Sequence, residues 1–281
     1  MRRDALGGTV LITGGGTGIG RACAVLLAKE GLHVTVAGRT REALDEVAGL
    51  APNIDAVVLD VTDEASVERA VARTSPIGAV VNNAGVSVMG PLEGVSLDEW
   101  RRQFETNVFG VATVCRAVLP QMRQRARETG AGGRIVNMGS VAGRLAAPFM
   151  GTYAASKHAI EGMTDALRRE VAGQGIDVVL VRPGFVDTGF GAQEQASLEA
   201  NRHPDYADAH DRFAAWHRDH GHAASPSPDV VAAAVLRALT DTSPKDRYAA
   251  PPKAKRQIAM RNLLPAGVVD RMVARTIGLK S

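Results

Sequence analysis

The sequence predicts an α/β fold: a doubly wound parallel β-sheet flanked by helices on both faces. Three observations carry this prediction. Short β-branched apolar runs alternate with stretches of helical periodicity from residue 9 to about residue 250. The first run passes directly into a glycine-rich turn and then a helix. Gly14, Arg39, Asp60, Asn83, Ser140 and Pro183 all fall at or just past strand ends, the rim where such sheets bind ligands.

Thr9 to Ile12 is the first strand. Thr13 to Gly20 follows, with five glycines in seven residues, and a helix runs from Arg21 to Glu30. Glycines there permit a tight turn and close backbone approach to a pyrophosphate, and the helix N-terminus points unpaired N–H groups at the anion. The plainer alternative is a generic glycine-rich turn. Val34 to Gly38 is the second strand. Its end carries Gly38 and Arg39, with Arg41 nearby, where a ribose-binding carboxylate would otherwise stand. A guanidinium there suits a 2′-phosphate and favours NADP(H) over NAD. A solvated loop charge is the alternative for Arg39.

Val57 to Asp60 is a third strand, and Ser66 to Arg73 a helix. Ala79 to Val81 is a fourth strand, opening into Asn82-Asn83-Ala84-Gly85. Asp98 to Met122 has long helical periodicity with a break near Gly110. Arg134 to Met138 is the fifth strand, ending at Gly139-Ser140, and Thr152 to Gly173 is a helix. Asp177 to Val181 is the sixth strand, closed by Arg182-Pro183-Gly184. Val230 to Thr240 is a helix, with Ser227-Pro228-Asp229 before it, and Arg247 to Ala249 a final edge strand.

Residues 189–228 break this pattern. They hold five of the seven histidines: His203, His210, His217, His220 and His222. His217 and His220 have a spacing that could suggest a metal. Tyr206, Ala209, Phe213 and Trp216, however, form an apolar helical stripe, which predicts an amphipathic helix with histidines on its wet flank and no metal. A long excursion after the last core strand suggests a substrate lid, with Phe190, Phe213 and Trp216 facing the substrate. The tail from Lys253 to Lys280 is basic and intermittently apolar, and Pro265 and Gly267 interrupt it. Packing on the domain or on a second subunit is expected; contact with an anionic membrane surface is the less favoured alternative. The domain reading is therefore a single catalytic domain over 1–250, its lid at about 189–228, and a basic extension over 251–281.

Composition narrows the function classes. The chain has 281 residues, 45% hydrophobic, 22% charged and 4% aromatic, with a formal net charge of +3. This is ordinary globular composition for one large α/β domain. The mild positive charge and scattered aromatics give no case for nucleic acid. Cys23 and Cys115 sit among apolar helix neighbours and read as buried thiols. No run of eighteen apolar residues occurs, and no apolar leader run precedes the first strand, so a soluble, reducing, cytoplasmic setting is expected.

Tyr153 and Lys157 lie four residues apart on one helix face. A neighbouring ammonium favours the phenolate, so Lys157 is expected to lower the Tyr153 pKa and make the phenol a proton carrier for an alcohol oxygen. A surface tyrosine beside a snorkelling lysine is the plain alternative.

Taken together, Thr13-Gly14-x-x-x-Gly18-x-Gly20, Asp60, Asn82-Asn83-Ala84-Gly85, Asn107, Ser140, Tyr153-x-x-x-Lys157 and Pro183-Gly184 resemble the classical short-chain dehydrogenase/reductase family over roughly the first 240 residues. The resemblance implies a Rossmann-type fold and an NADP(H)-dependent oxidoreductase acting on a carbonyl or alcohol. It implies Tyr153 as proton donor or acceptor, Ser140 as the residue orienting the substrate oxygen, and Lys157 as the group that tunes Tyr153 and binds the nicotinamide ribose. Asn107 would hold a relay water. The cofactor would be held by Gly14, Thr17, Gly18, Ile19, Gly20, Arg39, Asp60, Val61, Asn83, Ala84, Gly85, Pro183, Gly184, Val186 and Thr188. More loosely, the lid and tail resemble hydroxysteroid- and retinol-dehydrogenase-like members, which implies a relatively large apolar small-molecule substrate. A homodimer or homotetramer is also implied. A catalytically silent NADP(H) sensor is the alternative from another class.

Overall fold

A computed structural model describes residues 6–74, 76–221 and 225–279. Seven strands form one sheet: β1 Thr9–Thr13, β2 Val34–Gly38, β3 Ile54–Val58, β4 Ile77–Asn82, β5 Gly133–Met138, β6 Ile176–Pro183 and β7 Arg247–Ala250. The order is β3-β2-β1-β4-β5-β6-β7, and every pairing is parallel. Strands buried on both faces need apolar side chains at consecutive positions, and β4 is buried at every residue. The chain runs outward from β1 in one direction and returns to β4 for the other. That reversal opens a crevice beyond the carboxyl ends of β1 and β4.

The helices are α1 Gly18–Lys29, α2 Arg41–Ala48, α3 Glu64–Thr74, α4 Leu97–Phe104, α5 Gly110–Thr129 and α6 Gly151–Glu170. After β6 come α7 Phe190–Ala200, α8 Ala207–His220, α9 Asp229–Thr240, α10 Pro252–Leu263 and α11 Ala266–Ile277. α1 and α9 cover one face through Cys23, Leu27, Val231 and Val235. α3, α5 and α6 cover the other through Val67, Val114, Cys115 and Ile160. Both cysteines are free, and burial pushes their thiols up to about 12.

The predicted strands and helices are present with shifted ends, and α2 is an element the sequence reading did not name. The break expected near Gly110 lies just before it. Residues Glu105–Phe109 form a π-helical turn, and the Gly110 N–H closes on the Glu105 carbonyl. A side chain at 110 would meet Val61 Cγ2 at 2.7 Å, so a glycine lets the helix lie against the segment after β3.

α6 is tied to the sheet by polar contacts. Asn82 and Asn137 are register partners in β4 and β5. Asn82 Nδ2 donates to Asn137 Oδ1 at 2.9 Å, and Asn137 Nδ2 donates to Thr164 Oγ1 at 3.0 Å. Farther along, Arg182 at the end of β6 makes a two-pronged, nearly buried ion pair with Glu161.

The segment after β6 is helical, but two expectations for it are corrected. His210 and His217 are buried rather than on a wet flank. Phe213 is fully buried in a small core with Met89, Phe149 and Leu198, so it does not face a substrate. His222 lies outside the described residues, as does Lys280 at the end of the tail. The rest of the tail is α10 and α11, which pack on α8 and on the turn after β5. No helix among the described residues is long and apolar enough to cross a membrane.

Candidate active site

Backbone packs against backbone at the end of β1. Gly14 has φ +64, a left-handed value that favours glycine, and a Cβ there would meet Ala84 Cα at 2.9 Å. At Gly20 a Cβ would fall 2.2 Å from the Gly14 carbonyl oxygen. Asn83 clips the turn in place: its Nδ2 donates to the carbonyls of Thr13 and Gly14, both at 3.1 Å. The Thr13 hydroxyl accepts from the N–H groups of Asn83 and Ala84 at 3.0 and 3.1 Å. α1 starts here with no acidic side chain in its first turn and no side-chain cap from Thr17. A helix N-terminus left in that state suits an anion.

One cavity of about 500 Å³ starts at this turn and runs to the ends of β5 and β6. Gly14, Thr17, Gly18, Ile19, Asn83, Ala84 and Gly85 line one end. Ser140, Tyr153 and Lys157 also line it, as do Pro183, Gly184, Val186 and Thr188, and Thr188 lies beside Gly18 of the glycine turn. The structure thus brings together most of the predicted site residues. Gly20, Arg39, Asp60, Val61 and Asn107 are not in its lining. Gly20 serves the helix–turn contact described above, and Val61 is buried against Gly110.

Arg39 is exposed beyond β2. Asp60 sits past β3 with its carboxylate accepting from the Thr62 N–H and hydroxyl at 2.9 and 2.8 Å. Partial burial pushes that carboxyl up, but the Thr62 hydrogen bonds and the Arg39 charge outweigh it and hold it below the usual range. Arg41 is engaged by Asp45 at 2.7 Å, which leaves Arg39 as the cation nearer this rim.

Ser140 lies two residues past β5 and opens a short 3₁₀ turn, accepting from the Ala142 N–H at 3.1 Å. Tyr153 and Lys157 share one face of α6. The Lys157 side chain is buried, with Nζ donating to the Met138 carbonyl at 2.8 Å and lying 5.7 Å from the centre of the Tyr153 ring. Burial lowers Lys157 from 10.5 to about 8. The expected lowering of the Tyr153 phenol does not appear. Burial raises it, the Glu194 charge raises it further, and a hydrogen bond with Ser140 opposes both. The ammonium that was to favour the phenolate is turned to a backbone carbonyl.

Asn107 lies in the π-helical turn, buried. Its Oδ1 accepts from the Val86 N–H at 2.8 Å, and its Nδ2 donates to the Val86 carbonyl at 2.9 Å and towards Ser156 Oγ at 3.3 Å. Ser156 in turn donates to the Tyr153 carbonyl at 2.7 Å. The amide therefore ties the loop after β4 to the helix that carries Tyr153. Gln103 duplicates this hold through Val86 and Val88.

The cavity lining also holds residues the sequence reading missed: Phe185 and Glu194 from the end of β6 and α7, and Met260, Met272, Val273 and Ile277 from the tail helices. Phe190 and Trp216 are placed there as expected, and the Phe190 ring lies 6.3 Å from that of Tyr153. Among the described residues no group of three or more histidines, cysteines or carboxylates is placed to hold a metal.

The sequence description of the short chain dehydrogenases matches residues 8–199. The chain belongs to the short-chain dehydrogenase family. Its members are oxidoreductases, and so is this chain. It is 37% identical over 204 residues to a 3-ketodihydrosphingosine reductase of Bacteroides thetaiotaomicron, covering 71% of this chain and 72% of that one. It is 31% identical over 272 residues to an NADPH-dependent 3-dehydrocapnine reductase of Ornithobacterium rhinotracheale, covering 93% and 94%. Among solved structures it resembles a short-chain dehydrogenase of Streptomyces avermitilis at TM-score 0.77 and 30% identity, covering 95% and 94%. It also resembles short-chain dehydrogenases of Burkholderia cenocepacia with NADP, at TM-score 0.75 and 26% identity over 94% and 97%, and of Burkholderia phymatum with NAD, at 0.76 and 29% over 91% and 92%.

The depressed Lys157 pKa sets a pH signature for this short-chain dehydrogenase. Below about pH 8 the lysine is protonated both folded and unfolded, and the cost of burying the charge is present in full. Between about 8 and 10.5 only the unfolded chain keeps the proton, so the cost fades and stability rises with pH. Urea unfolding of cofactor-free protein should show wild type gaining on Lys157→Met by roughly 2 kcal/mol from pH 7 to 10. A constant gap would mean that the ammonium is not desolvated.

Proposed function

We propose that the chain is an NADP(H)-dependent oxidoreductase interconverting a carbonyl and an alcohol on a relatively large apolar small molecule. The observation that carries this reading is the placement of Ser140, Tyr153 and Lys157 in the same cavity as the glycine turn. Gly14 and Gly20 pack on neighbouring backbone where a Cβ would clash, and an uncapped helix N-terminus begins at the same turn, which fits a dinucleotide. Bound there, a nicotinamide dinucleotide supplies or accepts the hydride.

In this reading Gly14, Thr17, Gly18, Ile19, Gly20, Asp60, Val61, Asn83, Ala84, Gly85, Pro183, Gly184, Val186 and Thr188 hold the dinucleotide, with Tyr153 and Lys157 at its reactive end. Ser140 orients the substrate oxygen by hydrogen bonding. Tyr153 gives that oxygen a proton in reduction and takes one in oxidation. Burial raises the phenol and so keeps it protonated, the form that reduction calls on. Lys157 places a cation near the phenol and offers donors to ribose hydroxyls. Asn107 holds the loop and helix that frame this group, and its proposed role is to hold a water that relays protons between Lys157 and solvent. Arg39 selects a 2′-phosphate. The relative described as NADPH-dependent supports this choice, although a neighbour holds NAD. The apolar walls from α7, α8, α10 and α11, and the names of the two reductases above, support a large apolar substrate.

Residues 1–250 are the catalytic domain, 189–228 its lid, and 251–281 an extension over the cavity, in a cytoplasmic protein. A homodimer or homotetramer belongs to the same reading, as in many oligomeric enzymes of closed symmetry. A silent cofactor sensor is disfavoured by the presence of all three reactive side chains in one cavity.

Tyr153→Phe should cut turnover of any accepted ketone by roughly 10²-fold or more while NADPH still binds in a fluorescence titration. Near wild-type turnover would sink the assignment. Arg39→Asp should lower the ratio of kcat/KM for NADPH over NADH by roughly tenfold or more, the worth of a lost charge-assisted contact. An unchanged ratio would refute the 2′-phosphate role.

A further inference from the structure

The two tail helices pack on the domain with one side each. Ala254 and Ile258 of α10 are buried against Val141 in the turn after β5, and Val269 and Ile277 of α11 are buried. The other side of α10 carries Arg256, Ala259 and Leu263 at i, i+3 and i+7, all exposed, with Lys253 and Lys255 flanking them. Leu263 is 81% exposed, the most exposed large hydrophobic side chain among the described residues. A lone exposed leucine is ordinary. This one opens an uncharged turn, residues 263–269, in which Pro265, Ala266 and Gly267 are exposed as well. The turn leads into α11, where Arg271 and Arg275 are exposed.

Positive charge is concentrated on the same hairpin. Lys253, Lys255, Arg256, Arg261, Arg271 and Arg275 stand against Asp270 alone, an excess larger than the whole chain's net +3, so the remainder of the chain is net acidic. None of these cations has a carboxylate within ion-pair reach among the described residues. Arg144, exposed in the turn after β5, adds a further cation by donating to Asn262 Oδ1 at 3.1 Å. The hairpin also borders the cavity. Met260, Met272 and Thr276 line it, and Met272 and Thr276 are exposed, so part of the cavity rim belongs to this surface. Nucleic-acid phosphates would use the cations and leave Leu263 in water. An anionic bilayer uses both, drawing the cations to its headgroups and taking apolar side chains into the boundary with the acyl chains.

We propose that the α10–α11 hairpin docks the protein on an anionic lipid bilayer with the cavity rim at Met272 turned to the surface, so that an apolar substrate enters from the bilayer. The docking stands on the hairpin alone, and the entry route rests on the carbonyl–alcohol reading of the cavity. Leu263 enters the boundary between headgroups and acyl chains, while Lys253, Lys255 and Arg256 lie among the lipid phosphates.

The test sediments the full chain with vesicles of phosphatidylcholine and with vesicles of equal parts phosphatidylcholine and phosphatidylglycerol. Partitioning onto the anionic vesicles should be stronger by roughly tenfold or more, and should fall away at about 0.5 M salt. Leu263→Glu should weaken it by roughly tenfold or more, and so should Lys253→Glu combined with Lys255→Glu and Arg256→Glu. All four side chains are exposed, so thermal melts of both variants should match wild type. No preference for anionic vesicles, or variants that sediment like wild type, would overturn the docking. If Leu263→Glu lowers the particle mass in light scattering and leaves vesicle binding unchanged, the hairpin covers a second copy and the proposal fails. With NADPH, both variants should reduce a long-chain ketone dissolved in anionic vesicles several-fold more slowly than wild type does, and a short water-soluble ketone at the wild-type rate. Equal loss on both ketones, or none on either, would overturn the entry route. If no ketone is reduced at all, the functional reading fails, and sedimentation still decides the docking.

Discussion

The hydrogen bond from the Lys157 ammonium to the Met138 carbonyl fastens α6 to the end of β5, and the geometry of the site depends on that attachment. Ser140 follows Met138 by two residues, and Tyr153 precedes Lys157 by one helical turn. Fixing the lysine therefore fixes all three side chains relative to one another. The cost appears in the lysine's own titration, lowered to about 8 by burial. The Asn82–Asn137–Thr164 chain and the Glu161–Arg182 pair hold α6 at two further points, so the helix cannot rock about the lysine alone. Polar networks of this kind repay their desolvation only when their geometry is kept, which makes them suited to positioning.

Two parts of the molecule meet over the cavity, and they are built differently. The glycine turn is a backbone device. Gly14 lies closer to the Ala84 backbone, and Gly20 closer to the Gly14 backbone, than a Cβ on either glycine would allow, and Asn83 and Thr13 supply the hydrogen bonds that hold the shape. The opposite wall is a side-chain device. α7, α8 and α11 share a small core of their own around Met89, Phe149, Leu198 and Phe213, separate from the two cores that sandwich the sheet. Substrate contacts can therefore differ between relatives without disturbing the turn or α6. Fold and family follow from the sheet and the matching sequence, whereas the proposed choice of a large apolar substrate rests on the wall.

Legibility in the sequence followed the same division. Strands buried on both faces announce themselves as β-branched runs, and the glycine turn and the Tyr153–Lys157 spacing are local patterns. The wall was hard to read for a physical reason. His210, Phe213, Ala214 and His217 stand at i, i+3, i+4 and i+7 and form the buried face of α8. Counting histidine as polar hid that face and moved Phe213 to the substrate. Glu194 has no local signature, because its burial depends on how α7 lies against α8. The same applies to the Tyr153 phenol. An i, i+4 lysine argues for a lowered pKa, but burial and a carboxylate forty-one positions on decide the direction. The π-helical turn at Asn107 was visible only as a break in periodicity, displaced by a few residues.

The chemistry proposed for this site is tested most directly by following one hydrogen. NADPH carrying deuterium at nicotinamide C4, on the face from which hydride leaves, is turned over with an accepted ketone in ordinary water, and the product alcohol is analysed by mass spectrometry and NMR. The label is predicted on the carbinol carbon, at one deuterium per NADPH consumed, and a reaction in heavy water with unlabelled NADPH should place none there. Carbinol hydrogen drawn from solvent, or label retained in the oxidised cofactor from both C4-labelled isomers while ketone is consumed, would contradict it.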